Sequence, residues 1–216
     1  MTVHPGYTAA QVRAAEQPLL EAGEPLMRRA AAALAGELRD LSPGRVLALV
    51  GAGDNGGDAL FAVAELAAEG VRVDLVATAS RHHADGAAAA LAAGATWADA
   101  AEVARLAARA DVVVDGIVGT GSSPGLRGTA RDVVAAIAPL LERPRRPRVV
   151  AVDLPSGISP DDGSVPDPVV LPADLTVTFG AVKAGLLLEP GARYAGRVVL
   201  VDLGLGPYLG DPVISG

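Results

Sequence analysis

The stretch Val46-Leu47-Ala48-Leu49-Val50-Gly51-Ala52-Gly53-Asp54-Asn55-Gly56-Gly57-Asp58-Ala59-Leu60 decides how the chain is read. Its first five residues form an unbroken apolar run, the pattern of a strand buried on both faces. A glycine-rich turn follows, and from Ala59 to Ala67 apolar residues return at helical spacing. A strand that feeds a tight turn and then a helix aims backbone N–H groups and a helix N-terminus at whatever lies above the strand. Gly51, Gly53 and Gly56 spell G-x-G-x-x-G, a dinucleotide fingerprint that is weak on its own. Two features depart from that fingerprint. Asp54 and Asp58 put carboxylates where a diphosphate would be cradled, and Asp74 stands about two residues short of the end of the second strand, where the ribose-binding acid belongs. A turn with both N–H donors and carboxylates suits a cation together with a hydroxyl-rich, partly anionic ligand.

Working outward, the 216 residues are half apolar, mostly Ala, Val and Leu. That is enough for one α/β domain, or one with a modest appendage. The absence of cysteine excludes disulfides and thiolate metal sites. His82 and His83 are adjacent, cannot share a helical face, and read as solvated. No apolar run reaches bilayer length, and the N-terminus MTVHPGY lacks the charged-then-apolar pattern of a signal peptide. The expectation is a soluble, cytoplasmic protein with no membrane association. A net charge of -7 argues against nucleic acid, and the basic run Arg143 to Arg148 reads as a solvated linker. Of the 18 basic residues one is a lysine, Lys183, and Asn55 is the one asparagine. Both fall in glycine-rich turns, which points to chemistry.

In chain order, Thr8-Ala9-Ala10-Gln11 is a capping box that opens a helix with Val12, Ala15 and Leu19 on one face. Pro18 is expected to kink or end it. A second helix restarts at Pro25 and runs to about Asp40. Strands are expected at Val46–Val50, Val71–Val76, Ala95–Trp97, Asp111–Asp115, Val149–Asp153, Leu175–Phe179 and Val198–Asp202. Helices are expected up to Gly70, over Ala84–Ala93, over Asp99–Ala110 and over Arg127–Leu141, with a polar loop from Ile158 to Pro172. Strands that alternate with helices predict a three-layer α/β/α Rossmann-like fold with a mostly parallel central sheet. The N-terminal helices take residues 1–41, the α/β core residues 45–206, and a tail or linker residues 207–216.

Parallel strands point one way, so the turns after Val50, Val114, Val152 and Phe179 should share one rim of the sheet, near the switch in strand order. Those turns carry Asn55 and Asp58, Asp115, Asp153 with Ser156, and Lys183. A carboxylate at the end of a buried strand costs several kcal/mol unless paired. Asp115 and Asp153 together therefore imply a cation: Lys183, a bound ion, or both. Amide, carboxylate, hydroxyl and carbonyl oxygens select a hard metal, an alkali ion or magnesium.

Four motifs stand in order: Gly53-Asp54-Asn55-Gly56-Gly57-Asp58; Val114-Asp115-Gly116-Ile117-Val118-Gly119-Thr120-Gly121; Val152-Asp153-Leu154-Pro155-Ser156-Gly157; and Thr176-Val177-Thr178-Phe179-Gly180 through Lys183-Ala184-Gly185. With them the chain resembles the NAD(P)H-hydrate epimerases, the YjeF N-terminal domain family. Gln11 to Glu16 and Leu26 to Ala30 resemble its N-terminal helices. The resemblance implies that Asp54, Asn55, Gly56, Gly57 and Asp58 contact the hydrated nucleotide NADHX or NADPHX. It implies the same for Asp153 and for the loop Gly119, Thr120, Gly121, Ser122, Ser123, Pro124 and Gly125. It implies potassium held by Asn55, Asp115 and Ser156, a homodimer, and a dehydratase partner, fused or separate. The chain departs from the family pattern at Asp54, usually Asn, at Ala59, often Gly, and across Ser122 to Gly125.

In a hydrated nicotinamide the hydroxyl sits on the carbon next to the ring nitrogen, which can expel it once an acid protonates it. Water returning to the other face with a base inverts the centre, and one carboxyl can serve as both. Asp153 is the expected acid/base, with Lys183 tuning it or holding a phosphate. Two other readings compete: an NAD(P)-dependent dehydrogenase, and a catalytically inactive nucleotide- or protein-binding module.

Overall fold

The computed structural model describes residues 4–121 and 125–215. In chain order its strands are β1 (Gly6–Tyr7), β2 (Arg45–Val50), β3 (Arg72–Ala77), β4 (Thr96–Ala98), β5 (Val112–Gly116), β6 (Arg148–Val152), β7 (Leu175–Phe179), β8 (Val182–Lys183) and β9 (Arg197–Val201). Its α-helices are α1 (Ala9–Glu21), α2 (Leu26–Asp40), α3 (Asp54–Ala68), α4 (Ala84–Ala92), α5 (Val103–Ala107) and α6 (Gly128–Ile137). Seven strands form one sheet in the order β4-β3-β2-β5-β6-β7-β9, every pair parallel.

Alternation along β2 shows why the apolar run has no polar face. Val46, Ala48 and Val50 pack into one core with residues of α1, α2, α3 and α4. Leu47 and Leu49 pack into another with α5 and α6. Helices thus cover both faces, as parallel strands require. From β2 the chain winds outward through β3 and β4, then crosses back to β5 and winds the other way. The switch point lies between the C-terminal ends of β2 and β5, where open α/β sheets leave a crevice.

Several elements differ from the sequence reading. Helix α1 runs through Pro18 to Glu21. Proline there removes one main-chain hydrogen bond, yet the helix ends only a turn later, so little is lost. Helix α3 begins at Asp54 rather than Ala59, so Asn55, Gly56, Gly57 and Asp58 are helical and not loop. A Cβ on Gly56 would lie 2.3 Å from the carbonyl oxygen of Gly51, so glycine there lets the helix start directly against the strand-end turn. Helix α6 stops at Ile137, before Pro139, and the chain continues as a 3-10 turn over Ala138–Leu140. The helix expected over Asp99–Ala110 is a 3-10 turn followed by the short α5. His83 is half-buried rather than solvated: its Nδ1 accepts from Gly86 N at 3.1 Å and caps α4.

The reading also lacked a two-stranded ladder. Strand β1 pairs in parallel with β8, matching Gly6 to Val182 and Tyr7 to Lys183. It ties the start of the chain to the segment that carries the lysine.

Candidate active site

The four predicted turns meet at the C-terminal rim of the sheet. Asn55, in the first turn of α3, reaches across the switch point. Its Nδ2 donates to Val118 O at 3.2 Å and also to Val152 O. Gly119 makes room for it: a Cβ there would fall 2.2 Å from Asn55 Oδ1. Asp115, the fourth residue of β5, is fully buried. Its Oδ1 accepts from Ser156 Oγ at 2.6 Å and from Ile117 N at 3.3 Å, and its Oδ2 accepts from Ser156 N at 2.8 Å. Val118 N donates in turn to Ser156 Oγ at 3.1 Å. Asn55, Asp115 and Ser156 thus belong to one network.

Asp153 follows β6 directly and has φ of 68°. That left-handed conformation is strained for a residue with a Cβ and is held here by its surroundings. Its N–H stays on the sheet ladder, donating to Val177 O at 2.8 Å. Its Oδ1 accepts from Thr178 Oγ1 at 3.1 Å, from Phe179 N at 3.2 Å and from Lys183 Nζ. Lys183, 1% exposed, also donates to Phe179 O at 2.8 Å. Asp153 and Lys183 therefore form a buried ion pair supported by further hydrogen bonds at Lys183 Nζ and at Asp153 Oδ1, the kind of support under which such a pair is tolerated.

Above this pair lies a cavity of about 400 Å³, lined among others by Asp153, Lys183, Asp54, Asn55, Asp58 and Thr120. A neighbouring cavity of about 470 Å³ sits over the switch point and is lined by Gly51, Gly53, Gly119, Gly125 and Thr78 among others. The two share Asp54, Asn55, Thr120 and Gly121, so they form one cleft that passes Asn55. Gly56 and Gly57 are buried in α3 beneath it. Ser122, Ser123 and Pro124 lie outside the described residues.

Among the lining residues that escaped the sequence reading are two charged side chains of α1. Arg13 of α1 lines the cavity and donates from Nη1 to Thr120 O at 2.7 Å. Glu16 lines it one turn later. Glu16 sits four residues after the buried Val12, so a charge beside the apolar stripe of α1 was the available signal. Thr178 carried a signal too, as a hydroxyl in a strand buried on both faces.

The cavity is rich in carboxyls. Burial first, then the neighbouring charges of Asp153, Asp54 and Glu16, raises Asp58 well above the usual carboxylate range, against the opposing effect of Lys183. Burial also raises Glu16, with Lys183 the largest opposing influence. Asp115 is raised by burial and partly brought back by its bonds from Ser156. No basic side chain is among the hydrogen-bond partners described for Asp115.

A family model described as "YjeF-related protein N-terminus" matches residues 23–185. The chain belongs to the YjeF N-terminal family. Within that family it is 58% identical over 97% of its length to a protein of Clavibacter michiganensis subsp. michiganensis named NAD(P)H-hydrate epimerase, covering 94% of that protein. It is 54% identical over 94% of its length to another of that name from Microbacterium testaceum, covering 80% of it. A Mycobacterium tuberculosis protein named bifunctional NAD(P)H-hydrate repair enzyme is 41% identical over 92% of the chain, which spans only 41% of that relative. The fold is similar to that of the crystal structure of yeast ynu0, with a TM-score of 0.76 at 16% identity, covering 98% of this chain and 96% of that one.

Proposed function

We propose that the protein interconverts the R and S forms of hydrated NADH and NADPH, an isomerase reaction of nicotinamide nucleotide repair. The names of its relatives at 54–58% identity support the reaction class. The observation that carries the reading to this site is the buried Asp153–Lys183 pair at one end of a dinucleotide-sized cleft. Asp153 moves the proton at the hydroxyl on the carbon next to the ring nitrogen. The ring nitrogen expels water, and water returns to the other face. Lys183, Thr178 and Phe179 N fix Asp153 Oδ1, which directs the chemistry to the carboxyl's other oxygen. The N-terminus of α3 and the loop around Gly119 to Gly125 hold the nucleotide in place, and positioning of this kind supplies much of a rate.

The donor set fits potassium. Asn55, Asp115 and Ser156 offer hard oxygens with one formal negative charge, and Asp115 has no basic partner among those described. Potassium bound there would supply local positive charge that fixes the oxygens of substrate and protein. Asp115 and Ser156 would hold it, with Asn55 closing the site.

The same reading carries a cytoplasmic location, a homodimer, and a dehydratase that acts on the same hydrates, fused as in the bifunctional relatives or separate. No helix among the described residues is long and apolar enough to cross a membrane. The test is Asp153→Asn, with the R and S hydrates followed by chromatography. Loss of an acid/base group should slow interconversion by about 10²–10⁴-fold. A rate near that of the unaltered protein would remove Asp153 from this role.

A further inference from the structure

The cavity holds a second carboxyl that the Asp153 chemistry leaves unused. Asp58 comes from α3, whereas Asp153 comes from the turn after β6, so the two reach the cavity from separate elements. Asp58 is 6% exposed. Its Oδ1 is sealed from solvent and has no hydrogen-bond partner among the described residues. A buried polar group is normally paired, and a buried unpaired carboxylate is among the costliest groups a fold can carry. Lys183 cannot serve it, since its described bonds go to Asp153, Thr178 and Phe179. The charged groups that act on Asp58 are Glu16 from α1, Asp54 from its own helix, Asp153, and Lys183 from β8. Three of these four are acids. An ionised Asp58 would be unsupported here, whereas a protonated one is a hydrogen-bond donor on a residue that lines the cavity.

We propose that Asp58 is a second catalytic carboxyl of the epimerase reaction, entering the cycle as a neutral acid and giving its proton to the departing hydroxyl, while Asp153 takes the proton of the incoming water. The proposal rests on the epimerase reading and divides between two groups what one carboxyl would otherwise do in turn. In the first half the carbon–oxygen bond breaks and its electron pair leaves with the oxygen. The proton of Asp58 completes a water molecule, and the lone pair of the ring nitrogen becomes a C=N bond. In the second half a water oxygen bonds to the same carbon from the other face. The C=N pair returns to nitrogen, and the surplus proton passes to Asp153. The turnover ends with Asp58 ionised and Asp153 protonated; that state turns over the opposite epimer directly, and for another turnover of the first epimer Asp153 returns its proton to solvent while Asp58 takes one up. No oxidant or reductant enters.

The experiment compares the intact protein with Asp58→Asn and Asp58→Ala, using hydrated NADH enriched in one epimer. Interconversion is followed by chromatography, and uptake of oxygen from ¹⁸O-labelled water by mass spectrometry. The unaltered protein should invert the centre and take up one labelled oxygen per inversion. Asp58→Asn should keep KM within about threefold and lose about 10²-fold or more in kcat, with label uptake falling in step. Asp58→Ala should regain rate on addition of formic or acetic acid, in proportion to the undissociated acid, which a merely structural carboxyl would not do. Asp58→Asn at the original kcat, or Asp58→Ala slowed but deaf to added acids, overturns the proposal. An unaltered protein that neither interconverts the hydrates nor takes up label overturns the epimerase reading itself.

Discussion

Asp58 exacts a stability penalty, and the penalty has a sign that can be checked. Its folded pKa lies above the unfolded value, chiefly through burial. Such a group supports the fold below the unfolded pKa and withdraws that support as pH rises through the folded one. Each pKa unit of the upward shift is worth about 1.4 kcal/mol at pH values above both. Asp58→Asn should therefore melt higher than the unaltered protein at pH 8, by about 2–4 °C for each kcal/mol removed, and the gain should fade as pH falls toward about 4. Calorimetry across that range measures it, and a variant that melts lower at pH 8 would contradict it. A site that gains stability when its acid is removed is the trade between stability and activity expected of a working carboxyl. At this scale the sequence was partly legible. The single asparagine and the single lysine marked the site because each stood alone in its residue type. Glu16 and Arg13 were not marked, because an acid and a base on an amphipathic helix look like its solvated face until the helix is docked.

Helix α1 is the element whose role changed most. Its capping box forms as its first residues predict, with Gln11 N donating to Thr8 Oγ1 at 3.2 Å and Thr8 N to Gln11 Oε1 at 2.9 Å. Ala9 N donates to Asp161 Oδ1 at 2.6 Å, which pins the same end to the long polar loop. So anchored, α1 presents Arg13 and Glu16 to the cavity and carries Pro18 without breaking. Arg13 then fastens the loop that begins at Gly119, through Thr120 O. Arg13→Ala should raise KM about tenfold and leave kcat within about threefold, since it removes positioning of the nucleotide rather than proton transfer. Its melting temperature should hold within about 1 °C, because the lost hydrogen bond is exposed. Steady-state kinetics beside a melt separates these outcomes. The buried parallel strands were readable because each is a short apolar run that ends in a polar exception. The start of α3 was not, because glycine disfavours helix and only the close approach to Gly51 explains its use. Nor was β1 against β8: two residues carry no period, and their partners stand far apart in the chain.

Across the whole molecule four arginines open strands at one end of the sheet, where Asp111 and Asp174 also stand. Arg45, Arg72, Arg148 and Arg197 open β2, β3, β6 and β9. The acids Asp54, Asp58, Asp115 and Asp153 gather at or just beyond the opposite ends. The parallel topology places that acid-rich rim over the switch point, and the alternation of strands and helices foretold as much. The strand order itself needed the coordinates, since apolar runs of similar composition do not rank their neighbours. An acid-rich rim with Asp115 sealed at its base predicts a dependence on ion type. Exchanging choline for potassium at equal ionic strength should raise the melting temperature, with about 2.7 kcal/mol available at a hundred times Kd. Equal melting in the two salts would remove potassium from the fold.

Lys183 has a practical consequence beyond chemistry at the site. Apart from the amino terminus the chain holds one amine, and it is 1% exposed. Acylating reagents therefore find no lysine on the intact surface. The appearance of a modified residue 183 in a mass spectrum should follow the rate at which this half of the sheet comes apart, and nucleotide that tightens the cleft should slow that clock.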